Sequence, residues 1–389
     1  MRGFTAGTKL RRVLNEGGLT AHPDGKGSFH PHPARTNRLD HRQLQSLLFT
    51  CGAVHLRHAT DAVRKLALSG YRGEMAGQGD PRDTYPRNAD CPCGSTRKAK
   101  KCCYSTGRWW KPPAHIWPPA PRTGYAQPGC YANLLTDCGG GLSGEHYVSR
   151  LLLRGPAKAK SVSIANAAWQ KERRKYKSVG IDRLKAKILC KRHNESLSDL
   201  DAEAGNLANA LAGFGAWMDL PARSPKLTVC SGENLERWLL KSLIGYFLVE
   251  GPIKHPGKKL RPQCVDLLYG LAPWPPGWGF WYRHAEGHAV HKQDTLTQHI
   301  IWDPTNDEAA IFEFCLRGFF FALVMCGIDN WDKFGIYRPN AIVLDDNGTW
   351  NLISVTWQDP SNLFMVMMTN GGTYQGPPPV WPDWMKEQH

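Results

Sequence analysis

Four cysteines within thirteen residues, Cys91, Cys93, Cys102 and Cys103 in the run CPCGSTRKAKKCC, constrain this chain more than any other feature. A peptide this short and this basic holds no apolar core, so something other than hydrophobic burial has to fold it. The opening residues MRGFTAGTKLRR carry no apolar stretch behind the basic ones, so no secretory signal is expected, and a cytoplasmic location follows as the expectation. Thiols stay reduced there, which favours metal over disulfides. The spacing C-x-C-x8-C-C supplies four soft thiolates for tetrahedral Zn²⁺ at about 2.3 Å per sulfur.

The stretch RNADCPCGSTRKAKKCC, with Pro92, Gly94, Ser95 and the basic run 97 to 101, resembles the SEC-C motif, a small zinc knuckle found in many bacterial proteins. The resemblance covers residues 87 to 103. It implies a zinc-stabilised basic module, spanning about 86–106, that docks on a protein or nucleic-acid partner. It implies no chemistry, because four sulfurs leave no open position on the metal.

A second group lies downstream in C…CGGGLSGEH…LCKRHN. Cys130, Cys138, Cys190 and His193 form a structural zinc set that would clip a hairpin to a helix start. Glu145 and Asn194 offer hard oxygens to a divalent ion, Mg²⁺ or Mn²⁺, and His146 stands beside them as a base. This arrangement resembles the HNH (ββα-metal) endonucleases over about residues 128–200. In the resemblance, His146 matches the general base that activates water, Glu145 the acidic metal ligand before it, and Asn194 the final metal-holding position. The first cysteine pair here is C-x7-C, and a long insert separates His146 from Asn194. Phosphodiester hydrolysis needs a deprotonated water and a cation at the developing charge, which such a set supplies.

Charge follows the same map. The chain carries a net charge of +15, and its basic excess is concentrated between residues 91 and 190, whereas 191–389 is net acidic. Within the insert, Lys171, Arg173, Arg174, Lys175 and Lys177 suit a phosphate backbone, which makes nucleic acid the expected partner. Cys51, Cys230, Cys264, Cys315 and Cys326 are scattered and read as small core hydrophobes.

These signals predict an α+β chain: a zinc-stapled knuckle, a ββα-metal zinc domain with following helices, and a mixed, β-rich C-terminal domain. Residues 1–80 are expected to be mostly disordered, with one helical stretch at 44–68 and Met75 as an alternative start. The Pro- and Trp-rich 107–127 reads as a stiff linker, 128–220 as the HNH-like domain, 225–375 as the C-terminal domain and 376–389 as a tail. Helices are expected at about 200–219, on Leu207, Leu211, Phe214 and Trp217, and after a Ser231 cap, on Leu235, Trp238, Leu239 and Leu243. Asn347-Gly348 predicts a hairpin. The apolar run 309–328 contains Glu313 and Arg317, which argues against a membrane span and for a buried element. His284, His288 and His291 lack the zincin spacing and read as surface histidines, and the tryptophans as core packing. Two functions remain open at this level: a metal-dependent endonuclease, DNA more than RNA, and a non-enzymatic zinc adaptor that binds nucleic acid or protein.

Overall fold

A computed structural model describes residues 81–154, 159–165, 167, 170, 176–212, 214, 226–283, 296–327, 334–346, 349–359 and 365–370. The expectations for 1–80, 376–389, Trp217, the 347–348 turn, the histidines at 284, 288 and 291, and Lys171, Arg173, Arg174 and Lys175 lie outside the described residues.

The chain begins with the short helix α1 (Pro81–Thr84) and the cysteine knuckle. A proline-rich segment follows without regular secondary structure, and it is held against the rest of the molecule: Ile116 is buried and the Ala114 N–H donates to Asn234 Oδ1 at 2.8 Å. Next come β1 (Leu142–Glu145), α2 (Arg150–Arg154), the antiparallel pair β2 (Ser161–Ile164) and β3 (Lys177–Gly180), then β4 (Ala186–Cys190) and α3 (Lys191–Ser196). β1 pairs antiparallel with β4 across the insert, so Leu142 faces Cys190 and α3 starts where β4 ends. This is a strand, strand, helix order with a second hairpin inserted between the strands.

Helix α4 (Ser198–Ala212) buries Leu200, Leu207 and Leu211. Strand β5 (Lys226–Ser231) then hands over to α5 (Gly232–Lys254), where the Ser231 hydroxyl accepts from the Asn234 N–H, as the cap expectation required. Glu233 in its first turn and Lys254 in its last complement the helix dipole. Leu235, Trp238, Leu239 and Leu243 are buried as expected, but so are Leu240, Lys241, Ser242 and Ile244. A helix buried around most of its circumference is a central element rather than a surface one. It packs against α4, the short helix α6 (Cys264–Tyr269), and both sheets that follow.

The C-terminal half builds two sheets. β6 (Gly279–Arg283), β7 (Leu296–Trp302), β8 (Ala309–Leu316), β9 (Phe319–Val324) and β10 (Gly335–Tyr337) form an antiparallel five-stranded sheet in the order β10-β6-β9-β8-β7. β11 (Ala341–Asp346), β12 (Thr349–Thr356) and β13 (Met365–Asn370) join β5 in a four-stranded sheet ordered β13-β11-β12-β5, with β13 and β5 parallel to their neighbours.

The apolar run 309–328 is thus a hairpin, β8 and β9, turning at Arg317 (φ 54°) and Gly318 (φ 88°) between the paired Leu316 and Phe319. Two positive φ values in a two-residue loop match the twist of the flanking strands. Glu313 on β8 is answered by Arg283 at 2.5 Å. No helix among the described residues is long and apolar enough to cross a membrane. β11 and β12 pair antiparallel, with Asp346 opposite Thr349.

One cluster of buried side chains runs from Ile116 and Cys130 through Leu200 and Leu239 to Phe314 and Val366, so the zinc-clip region and the β-rich half share a core. Trp238 meets Phe314 edge to face at 4.9 Å within it. Cys230, Cys264 and Cys315 are buried and Cys326 is half-buried, in line with their reading as small apolar residues.

Candidate metal centres and the surroundings of His146

The first cluster gathers Cys91, Cys93, Cys102 and Cys103, with all four sulfurs within 4.8 Å of one another. A tight turn makes this possible: Cys91 N–H donates to Arg97 O at 2.8 Å, and Gly94 takes a positive φ of 82°. Cys93 and Cys102 Sγ lie 3.6 Å apart, and Cys102 and Cys103 Sγ 3.9 Å. A sulfur tetrahedron with bonds of about 2.3 Å has edges of about 3.8 Å, so the donor set fits zinc in both chemistry and size. Arg97 Nη2 sits 3.3 Å from Cys102 Sγ, positioned to donate to a thiolate. Hydrogen bonding to Cys91 and Cys93, together with burial, pushes the Cys103 thiol far up, because crowded thiolates repel unless a cation is shared among them.

The knuckle is not a free appendage. Cys91, Cys93 and Cys103 pack in one cluster with Leu227 and Val229 of β5, Ala341 and Val343 of β11, and Leu352 of β12. Val229 N–H donates to Pro92 O at 3.3 Å. Lys111 bridges the same junction, 2.8 Å from Glu203 Oε2 and 3.4 Å from Cys93 O.

The second cluster, Cys130, Cys138, Cys190 and His193, is wholly buried, again with its donor atoms within 4.8 Å. His193 Nδ1 lies 3.6, 3.7 and 3.2 Å from the sulfurs of Cys130, Cys138 and Cys190. A tetrahedral centre with zinc–sulfur and zinc–nitrogen bonds of ordinary length has such edges at about 3.6 Å. The glycine run serves the approach of the β1 turn to α3: Gly140 has φ 75°, and a Cβ there would stand 2.9 Å from that of Lys191. Asp137 pairs with Arg192 at 3.1 Å and brings the turn and the helix start together. Burial pushes Cys130 up to about 12 and lowers the His193 pKa, which favours protonated thiols and neutral imidazole until a metal arrives.

Glu145, His146 and Asn194 belong to neither cluster. Glu145, at the end of β1, is buried, and its Oε1 lies 2.6 Å from Lys241 Nζ on α5. The same ammonium stands 2.6 Å from Asp201 Oδ2 on α4. Two carboxylates share one cation. Burial first, then Asp201, raise the Glu145 pKa, while Glu145 and Asp201 outweigh desolvation and hold Lys241 above the usual lysine range. Lys241 escaped the pattern reading; a lone lysine inside the apolar run WLLKSLIGYF was its only trace.

His146 follows immediately and is half-buried; its Nε2 is shielded from solvent and has no hydrogen-bond partner among the described residues. Burial, with Lys185 and Arg150 nearby, brings its pKa down to about 4, against the opposite pull of Asp182 and Asp201. Arg150 and Lys185 are partly exposed and both reach Asp182, at 3.0 and 3.9 Å. Asn194 Nδ2 donates to Ser143 Oγ at 3.0 Å, tying α3 to β1. Lys177, at the start of β3, is exposed. No protein-family model, no curated protein and no solved structure matches the chain.

Proposed function

We propose that the chain is a metal-dependent endonuclease of the HNH type, in which His146 is the general base and two zinc knuckles are structural. The observation that carries this reading is the orphaned Nε2 of His146, neutral at pH 7, at the end of the first strand of a strand, strand, helix unit that also holds a Cys3His cluster. A neutral imidazole can accept a proton from water once a water is admitted to the shielded Nε2. A phosphate placed against Arg150 and Lys185 would offset the two charges that depress the imidazole pKa and move it towards neutrality, where a base works best. Lys177 and the basic run of the insert add positive charge in the sequence, in keeping with a nucleic-acid backbone.

Glu145 and Asn194 are the oxygen donors proposed for a divalent ion, which would supply charge stabilisation at phosphate and leaving oxygen. Glu145 becomes available to it only if the Lys241 ammonium yields its place, one cation for another. Plasmid nicking by the zinc-loaded chain with Mg²⁺ or Mn²⁺ tests the reading. His146→Ala should lower the rate by about 10² to 10⁴, the usual worth of a positioned base, with zinc content and fold unchanged. Absence of cleavage of DNA and RNA by the unaltered chain with every divalent ion tried would sink it.

The Glu145–Lys241 pair favours a second reading, a non-enzymatic zinc adaptor that binds nucleic acid or protein, in which that carboxylate is structural. Under it His146→Ala leaves binding intact, whereas Cys102→Ser does not.

A further inference from the structure

A cleft of about 540 Å³ opens where the knuckle meets the four-stranded sheet, away from His146, between the chain leaving Cys103, helix α1 and the end of β12. Its size falls within the range of small-molecule sites. Trp109, Trp110 and Trp357 stand in its lining. Two of these are fixed in place: Trp109 Nε1 donates to Arg82 O at 3.0 Å and its ring lies 4.9 Å from that of Tyr104, while Trp357 Nε1 donates to Pro339 O at 3.0 Å. Trp110 is only half-buried. Arg82 and Arg108 bring positive charge to the same lining, and Asp83 is its one acidic residue.

Asn340 and Thr356 also line the cleft. Indole walls and guanidinium groups together describe a planar ligand that carries an anion.

We propose that this cleft binds a nucleoside monophosphate unit, with the base against the tryptophans and the phosphate on Arg108 and Arg82. Indole faces stack on every base, and guanidinium is the planar donor best matched to phosphate. Asp83 suits a sugar hydroxyl and makes a single phosphate a better match than a polyphosphate, because added negative charge would meet the carboxylate. The unit is either a free nucleotide or an unpaired residue of a strand. The inference does not rest on nuclease activity, since none of its residues adjoins His146 or the cysteine–histidine centre.

The full zinc-loaded chain, titrated with AMP, GMP, CMP and UMP while tryptophan emission is followed, tests it. Saturable quenching by at least one nucleotide is expected, weaker with the matching nucleoside. Arg108→Glu and Trp110→Ala should each weaken binding about tenfold or more, about 1.4 kcal/mol. Zinc content and circular dichroism certify that each variant is folded, and Arg108, being exposed, is the one least able to disturb the fold. A single-stranded oligonucleotide that competes with the mononucleotide assigns the cleft to strands; one that does not compete assigns it to free nucleotides. Failure of all four nucleotides and of the oligonucleotide to bind, or binding that ignores both substitutions, overturns the proposal. His146→Ala should bind nucleotide normally, so a failed nuclease assay and a failed cleft are told apart.

Discussion

Lys241 is the residue on which the arrangement near His146 turns. Its ammonium is buried between Glu145 and Asp201, so removing it leaves carboxylates in the interior without their counter-charge. Lys241→Ala should cost about 3–5 kcal/mol in urea unfolding, the usual penalty for breaking a buried pair from one side. Glu145→Gln in the Lys241→Ala background should recover part of that loss, since it removes one of the stranded charges; no recovery would mean that the lysine acts through packing alone. Glu145 and His146 were both legible in the sequence as chemically capable neighbours. Their different environments were not: one carboxylate faces a cation on a distant helix, and one buried imidazole nitrogen has no hydrogen-bond partner among the described residues. Glu145 closes β1 and His146 lies just beyond it, so adjacency in sequence did not give the two groups one environment.

Among the elements, the knuckle and β5 depend on each other. The knuckle's cysteines lie in one cluster with side chains of β5, β11 and β12, so zinc bound at this centre would support one face of the four-stranded sheet. Cys102→Ser is expected to lower amide-exchange protection in β5 and β11 while leaving β8 and β9 of the other sheet protected; unchanged protection in β5 would rule out that support. At β6, Gly279 has φ 126°, and a Cβ there would stand 1.8 Å from Glu236 Oε1. That oxygen accepts from Phe280 N–H at 2.8 Å and from Arg338 Nε at 3.1 Å. Gly279→Ala should therefore destabilise the chain by at least about 2 kcal/mol, measured by thermal unfolding, from backbone strain and a displaced buried carboxylate together. Element starts were the legible part. The Ser231 cap and the strand leading to Cys190 follow from local chemistry, whereas 309–328 carried only an apolar run, and its division into two strands came from the Arg317-Gly318 turn.

At the scale of the molecule, one buried cluster joins the two halves of the chain. Leu200, Leu207 and Leu211 of α4 lie in the same buried cluster as Leu235 and Leu239 of α5 and Phe314 of β8. A fragment of 128–220 would expose that apolar face to water, so it is expected to lack a cooperative thermal transition even with zinc, while the full chain shows one; a cooperative, zinc-dependent melt of the fragment would show that the shared core is dispensable to it. Metal analysis of the full chain should give two zincs, with Cys190→Ser losing one of them.

The sequence by itself determined the two metal-ligand sets, the cap of the central helix and the concentration of positive charge, because each is written in spacing or composition over short stretches. Tertiary structure alone decided that Lys241 meets Glu145, that Lys111 joins the knuckle to Glu203, and that Trp110, Arg108 and Asn340 line one cleft. Those partners lie far apart in the chain. Periodicity encodes which face of an element is apolar, but a single buried charge or an unmet acceptor has no period, and its meaning arises only when folding removes water and leaves one neighbour within reach.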